Sequence, residues 1–240
     1  MIERPVHRLF LFDIDGTLIR THGAGSRSLA RAFQHILRQT PPIDSVPFAG
    51  RTDTEIIQDL LHLMGVPEHA REDIQQQLIR AYTTILQREL ETHPPEVLPG
   101  IPELLQHLHT LPATYLGLVT GNLKTSAYLK LRAAGLADYF PVGSFADDAS
   151  HRNALPPIAV KRARAYYKLP ESVSLDIFVI GDTPRDIQCS RTLPARSVAV
   201  CTGPYSRKEL EAHNPDFLFS DFQATDTILD TLLKDGATND

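Results

Sequence analysis

The chain has 240 residues, of which 42% are hydrophobic, and its formal net charge of -5 comes with no run of Lys or Arg that would form a nucleic-acid surface. No apolar stretch approaches the roughly 20 residues of a membrane span, and Asp13 interrupts the first one too early for a secretory signal. We therefore expect a globular, cytoplasmic protein that binds neither nucleic acid nor membrane.

Short runs of β-branched, aromatic and aliphatic residues predict buried parallel strands. In chain order, these runs are Leu9–Phe12, Tyr115–Val119, Ile177–Ile180 and Ser197–Cys201. The amphipathic segments that follow them predict helices at Thr125–Ala134, Pro157–Tyr167 and Pro184–Leu193, with a capping box at Ser206 and Glu209 beginning another. This alternation predicts an α/β fold, a doubly wound, Rossmann-like parallel sheet with helices on both faces.

Residues 20–97 interrupt that alternation. Their apolar residues recur every three or four positions, with no strand-like run between them. A proline-rich stretch that ends at Gly100 marks the far side of this segment. The pattern predicts an all-helical insertion at 20–97 within a core formed by residues 1–19 and 98–240.

The strongest local signal comes directly after the first strand, where four apolar residues precede Asp13-Ile-Asp15-Gly16-Thr17. Two carboxylates at a strand end can both face an open crevice if the strand gives way to a turn, which Gly16 permits. One carboxylate could then act as a nucleophile and the other as an acid and base. An Asx turn with two solvated carboxylates is the alternative.

Polar residues also end the second and third strands. Thr120-Gly121-Asn122 could bind an anion with a hydroxyl and free backbone NH groups, or could simply cap a helix. Asp182 and Asp186 could hold a hard divalent cation such as Mg²⁺, or could serve as a helix cap and a first-turn acid. Because parallel strands end at the same edge of a sheet, we expect these residues to meet Asp13 there.

The order of these motifs resembles the haloacid dehalogenase-like hydrolase superfamily, and the helical insertion resembles the cap of its phosphoglycolate phosphatase-like branch. The resemblance extends from Leu9 to about Asp226. It implies that Asp13 attacks phosphorus to form an aspartyl-phosphate, and that Asp15 protonates the leaving alcohol and then activates water. It also implies that the Asp13 carboxylate, the Asp15 backbone carbonyl and Asp182 hold Mg²⁺. Thr120 is expected among the catalytic residues, and the residues expected to contact phosphate or substrate are Gly16, Thr17, Gly121 and Asn122.

One motif departs from the family pattern. The family usually has a Lys followed by Pro-x-Pro before the helix at Pro157, and here Asn153 occupies the position of that Lys. We predict that Arg152 supplies the cation instead, because a guanidinium can pair with two phosphate oxygens. Lys161, one turn into the helix, is the competitor.

The loop before Thr52 in the insertion adds one more candidate, Arg51, which could enter the site and bind an acidic substrate group. Thr52 or Asp53 is expected to cap the following helix.

These features predict a Mg²⁺-dependent phosphatase, a monomer or homodimer, acting on a small phosphorylated metabolite such as phosphoglycolate or a sugar phosphate. A β-phosphoglucomutase-like phosphomutase is the alternative enzyme, and a catalytically silent binding protein is the alternative without activity. A phosphonoacetaldehyde-type hydrolase is excluded because residues 1–123, which include the insertion, contain no Lys for a Schiff base.

Overall fold

The computed structural model describes residues 6–234, so residues 1–5 and 235–240 of the predicted core lie outside the described residues. The strands are β1 (His7–Phe12), β2 (Ile19–Arg20), β3 (Glu96–Val97), β4 (Thr114–Val119), β5 (Gly143–Ser144), β6 (Leu175–Gly181), β7 (Ala195–Val200) and β8 (Phe217–Phe219). The helices are α1 (Ala24–Leu37), α2 (Asp53–Leu63), α3 (Glu68–Thr92), α4 (Ile101–Thr110), α5 (Lys124–Ala133), α6 (Leu155–Tyr166), α7 (Pro184–Ser190), α8 (Arg207–Glu211) and α9 (Thr225–Lys234).

Six strands form one parallel sheet in the order β5-β4-β1-β6-β7-β8, which confirms the predicted α/β class. From β1 the chain moves outward through β4 and β5 on one side, then crosses to β6, β7 and β8 on the other. Phe12 at the end of β1 aligns with Leu118 of β4 and Ile180 of β6. The residues that follow these positions therefore surround the point where the strand order reverses, which is where ligands bind in such sheets.

Alternate residues of β1 point to opposite faces of the sheet and fill two separate cores. Phe10 and Phe12 belong to one apolar cluster, while Leu9 and Leu11 belong to another. The ring of Phe10 stacks on that of Phe178 with 4.6 Å between the centroids. Each of these fully buried side chains contributes on the order of 1.5–3 kcal/mol of transfer free energy, so the strand that carries Asp13 is firmly held.

The insertion contains α1, α2 and α3, which build an apolar core of their own; its buried members include Leu29, Phe33, Leu60, Leu78 and Leu86. The segment is not entirely helical, however. Arg20 pairs with Glu96 and Ile19 with Val97 in a two-stranded antiparallel ribbon at the junction with the sheet. Each strand of this ribbon has only two residues, too few for a recognisable alternation in the sequence.

The other predicted elements are present with shifted ends. The predicted fourth strand begins earlier than expected, at Ala195, and ends at Val200. The helix expected from Pro157 begins at Leu155, and the helix expected to reach Leu193 stops at Ser190. The capping box at Ser206 and Glu209 is present. Within residues 6–234, no helix is both long enough and apolar enough to span a membrane.

Candidate active site

Asp13 lies at the end of β1, at the centre of the sheet, and is 6% exposed. Its backbone NH donates to the carbonyl of Ile180, which continues the β1–β6 pairing by one residue. Its Oδ1 is 3.0 Å from Nη2 of Arg152. The pKa of Asp13 is raised to about 6, mainly because burial disfavours the charged carboxylate. Arg152 acts to lower this pKa, whereas the negative charges of Asp186 and Asp15 act to raise it. The Asp13 carboxylate is therefore a desolvated anion beside a single fixed cation.

The turn after β1 supports a second acid. Gly16 has a φ of +82°, and a Cβ there would overlap the carboxylate of Asp182. Thr17 is fully buried, and its hydroxyl donates to Oδ1 of Asp182 at 3.0 Å. The Thr17 side chain therefore orients Asp182, and its expected contact with phosphate or substrate stays a prediction. Gly16 does border the cavity described below.

Asp15 turns away from Asp13 towards the helix that follows β4. Its Oδ2 accepts a hydrogen bond from Nδ2 of Asn122 at 2.8 Å and lies 2.6 Å from Nζ of Lys130, while its Oδ1 accepts one from Thr21 at 3.2 Å. Burial alone would raise the pKa of Asp15, but the Lys130 charge and these hydrogen bonds outweigh it and lower the pKa. Two carboxylates two residues apart thus have opposite pKa shifts.

The loop after β4 is held by hydrogen bonds between its own residues and by contacts with the insertion. Thr120 is buried, and its hydroxyl accepts hydrogen bonds from the backbone NH and the Nδ2 of Asn122. A Cβ at Gly121 would overlap the backbone oxygen of Arg51, so only glycine permits the approach of that loop. Asn122 and Gly121 line the cavity, and Thr120 stands behind Asn122.

The insertion is joined to this loop by Thr52 and Asp53. Thr52 forms the capping box of α2 with Glu55, as one of the two expected alternatives. Asp53 instead binds the start of α5, where its Oδ2 accepts from the backbone NH of Leu123 at 2.9 Å and from the hydroxyl of Ser126 at 3.2 Å. An acid of the insertion therefore caps the N-terminus of α5, a helix of the core.

Arg152 lies where the missing family Lys is expected to act. It is 3% exposed, and its Nη2 contacts both Asp13 and Asp186, while its Nη1 lies beside Gly121. The two acids raise the pKa of Arg152 further despite its burial, so it is charged at all relevant pH values. Lys161 is exposed on α6 and does not border the cavity. The geometry therefore favours Arg152 over its competitor.

Three carboxylates gather beneath the cavity. One oxygen each of Asp13, Asp182 and Asp186 lie within 4.8 Å of one another. Asp186 also completes a capping box with Thr183 at the start of α7 and pairs with Arg152. Burial and the charges of Asp13 and Asp186 raise the pKa of Asp182 well above its ordinary value. Three acids against one guanidinium leave an excess of negative charge, and an oxygen-only donor set suits Mg²⁺. Asp15 is not part of this cluster, so its side chain is not placed as a metal ligand.

Lys130 is a residue of the site that the sequence motifs do not indicate. It is 4% exposed on α5 and donates to Asp15 and to Oδ1 of Asn122, both at 2.6 Å. A weak signal was available, because the helix that begins just after Thr120 carries this Lys two turns from its start.

Arg51 borders the cavity, but its guanidinium pairs with Asp59 of α2 at 2.7 Å. Its Nε is buried without a hydrogen bond, and its contact with an acidic substrate group stays a prediction.

A cavity of about 630 Å³ lies between the sheet edge and the insertion. Its floor includes Asp13, Asp15, Asp182 and Arg152, and its opposite wall comes from the insertion.

The family model described as haloacid dehalogenase-like hydrolase matches residues 10–200. The chain belongs to this family. The predicted family and the prediction of a hydrolase are thereby confirmed.

Known relatives match nearly the whole chain in sequence, and solved structures share its fold. The pyrophosphatase PpaX of Bacillus mycoides (strain KBAB4) is 24% identical over 217 residues, which cover 87% of this chain and 90% of that protein. The structure of a predicted phosphoglycolate phosphatase from Haemophilus somnus 129PT superposes with a TM-score of 0.68 at 19% identity, covering 92% of this chain and 97% of the other. CbbY from Rhodobacter sphaeroides, in complex with phosphate, gives a TM-score of 0.65 at 18% identity, with 91% and 96% coverage.

Proposed function

We propose that this hydrolase is a Mg²⁺-dependent phosphatase that cleaves a small phosphate monoester through an aspartyl-phosphate on Asp13. The observation that carries the proposal is the position of the Asp13 carboxylate on the floor of the cavity, 3.0 Å from Arg152 and clustered with Asp182, with Asp15 on the same floor. The relatives named for pyrophosphate, phosphoglycolate and bound phosphate support phosphoryl chemistry.

The first step transfers the phosphoryl group to the protein. A carboxylate oxygen of Asp13 forms a bond to phosphorus, the ester P–O bond breaks, and its electron pair stays on the leaving oxygen. Protonated Asp15 gives that oxygen its proton. Arg152 is positioned to offset negative charge on the phosphoryl oxygens, because its Nη1 lies beside Gly121 at the cavity.

The second step reverses the role of Asp15. Ionised Asp15 takes a proton from water, whose oxygen attacks phosphorus while the bond to Asp13 breaks and orthophosphate leaves. Lys130 favours this ionised form. Splitting the displacement into two steps is the advantage of covalent catalysis.

The residues present fit a magnesium ion. Asp13 and Asp182 would hold it, with Asp186 behind them, and when bound it supplies charge neutralisation for the phosphoryl group. The substrate partner is a small phosphorylated metabolite, since the cavity is closed on two sides by the sheet edge and the insertion.

The test is release of inorganic phosphate from p-nitrophenyl phosphate, with Mg²⁺ and with EDTA. Asp13→Asn keeps the shape and removes the attacking charge, so turnover should fall by more than tenfold while the melting temperature stays near that of the wild type. Asp230→Asn, a neutralised exposed acid on α9, is the matched control. Activity of Asp13→Asn above a tenth of the wild type would exclude covalent catalysis at this residue. With a sugar phosphate as the substrate, transfer of the phosphoryl group to another hydroxyl of the sugar, without release of inorganic phosphate, would identify the phosphomutase alternative.

A further inference from the structure

Six largely apolar side chains of the insertion line the cavity opposite the catalytic floor, and polar side chains of the same segment line it beside them. These six residues, the apolar wall, are Leu29, Ile43, Val46, Phe48, Ile56 and Tyr82. These residues belong to the apolar core of the insertion or pack against it, so their positions are fixed by that core. The part of a substrate that extends away from Asp13 therefore meets aliphatic and aromatic surface.

Each basic side chain that borders the cavity has at least one acid partner within the described residues, although Nε of Arg51 and Nε of Arg152 are buried without a hydrogen bond. Arg51 pairs with Asp59, and Lys130 pairs with Asp15. Arg20 and His22 both contact the carboxylate of Glu96. Arg152 is held on the floor by Asp13 and Asp186.

The insertion also contributes acids to the cavity. Asp44 lies exposed at its edge, and Asp53 borders it from the start of α2. A carboxylate or a second phosphate on the substrate would therefore meet apolar groups, acids, and basic side chains that already pair with carboxylates. Burying such an anion without a partner is strongly unfavourable.

We propose that this apolar wall is the binding site for an uncharged, hydrophobic leaving group. The substrate is then the phosphate monoester of an apolar alcohol, rather than pyrophosphate, phosphoglycolate or a sugar phosphate. This inference rests on the proposed phosphatase function for its catalytic consequence. The binding preference itself follows from the lining alone. A cavity of about 630 Å³ accommodates a leaving group considerably larger than glycolate.

The first experiment compares kcat/KM for benzyl phosphate, n-hexyl phosphate, phosphoglycolate, glucose 6-phosphate and pyrophosphate, all with saturating Mg²⁺. The benzyl and hexyl esters, phosphoglycolate and glucose 6-phosphate all have alkoxide leaving groups, so binding rather than leaving-group reactivity decides the comparison among these four. Pyrophosphate has a more reactive leaving group, which makes it the stricter comparison. We expect both to exceed the other three by at least tenfold. A preference for any charged or sugar substrate would overturn the inference.

The second experiment changes the wall. Phe48→Arg introduces a free cation, so KM for benzyl phosphate should rise at least fivefold and the preference over phosphoglycolate should narrow. Leu63→Arg makes the same change at an exposed position on the same inserted segment, away from the cavity, and should leave both parameters unchanged. An unaltered preference in Phe48→Arg would remove this residue, and with it the wall, from substrate binding.

A third measurement separates this inference from the proposed function. Calorimetry of the wild-type protein with Mg²⁺ compares non-hydrolysable benzylphosphonate with phosphonoacetate and methylenebisphosphonate. At least tenfold tighter binding of benzylphosphonate supports the apolar site even if no ester is hydrolysed, which would refute only the phosphatase function. The reverse order of affinities would refute the inference even in an active phosphatase.

Discussion

Nζ of Lys130 lies 2.6 Å from Oδ2 of Asp15, in an ion pair that connects a core helix to the acid next to the proposed nucleophile. Asn122 binds the same two groups, accepting from Lys130 and donating to Asp15. The pair therefore fixes the direction of the Asp15 carboxylate as well as its charge. In the proposed mechanism this acid must release and then regain one proton, so its partner should set the pH range of turnover.

Replacing Lys130 should shift the pH dependence of kcat. Lys130 lowers the pKa of Asp15, so Lys130→Met should raise it. Protonated Asp15 is needed in the first step, so the basic limb of the profile should move to higher pH, while the acidic limb follows the ionisation of Asp13, whose pKa is about 6, and should stay in place. Measuring kcat between pH 4 and 9 checks the direction. The control is Lys124→Met, an exposed position on the same helix, whose profile should coincide with that of the wild type. A Lys130→Met profile that only loses height would assign Lys130 a structural role.

Replacing Arg152 should affect both catalysis and folding. Arg152→Ala removes the cation beside Asp13, and losing one such electrostatic stabiliser typically lowers the rate by about 10²–10³. It also leaves Asp186 without its buried partner, which typically costs about 3–5 kcal/mol of unfolding free energy. Steady-state kinetics and urea unfolding measure the two effects separately.

Two further variants decide between the roles of this arginine. Arg152→Lys keeps the charge and should recover part of the stability and part of kcat/KM, because one ammonium cannot reproduce both the Nη2 contacts with Asp13 and Asp186 and the Nη1 position beside Gly121. Lys161→Ala, on the exposed face of α6, should change neither quantity. A larger loss of kcat/KM in Lys161→Ala than in Arg152→Lys would transfer the catalytic cation to Lys161.

The sequence was informative wherever a residue's role follows from the end of a strand. Asp13, Thr120 and Asp182 each follow a buried apolar run, and the parallel sheet brings the three ends together. Arg152 could be inferred because a charge was missing from a known position in the motif order.

The remaining contacts depend on packing between distant segments. Lys130 reaches Asp15 across 115 positions, and the local sequence of α5 gives no indication of which acid that lysine meets. Asp53 was expected to cap the helix that follows it, α2. Its carboxylate instead accepts hydrogen bonds at the start of α5. The pairing of Arg51 with Asp59 likewise depends on the position of α2 relative to the loop before it, which the local sequence does not give.

Magnesium should stabilise the folded protein. The cluster of Asp13, Asp182 and Asp186 has more negative charge than Arg152 offsets, so a bound divalent cation relieves repulsion that only the folded state contains. At 100 times its dissociation constant, a ligand specific to the folded state adds about 2.7 kcal/mol of unfolding free energy. Thermal melts with and without Mg²⁺ should differ by several degrees. Asp182→Asn should lose most of this difference, and Asp230→Asn should retain it. Equal shifts in both variants would place the metal elsewhere.

The close approach of Gly121 to Arg51 makes a last prediction about the insertion. A Cβ at position 121 would overlap the backbone oxygen of Arg51, and backbone cannot move aside as a side-chain tip can. The same contact includes a 2.7 Å hydrogen bond from the backbone NH of Asp53 to the carbonyl of Gly121. Gly121→Ala should therefore push the loop before α2 away from β4 and open the cavity. Overpacking of this kind typically costs about 1–3 kcal/mol.

The signature of that opening is a combined change in kinetics and protease sensitivity. Gly121→Ala should lower kcat/KM and speed cleavage in the segments that join the insertion to the sheet, near residues 20–23 and 93–97. Gly65→Ala is the control, because its φ of +69° makes alanine strained there while the added Cβ meets no neighbouring atom and does not touch this contact. It should reduce stability without changing kcat/KM. If Gly121→Ala kept wild-type kinetics and protease resistance, the loop that carries Arg51 would not need this contact to close the active site.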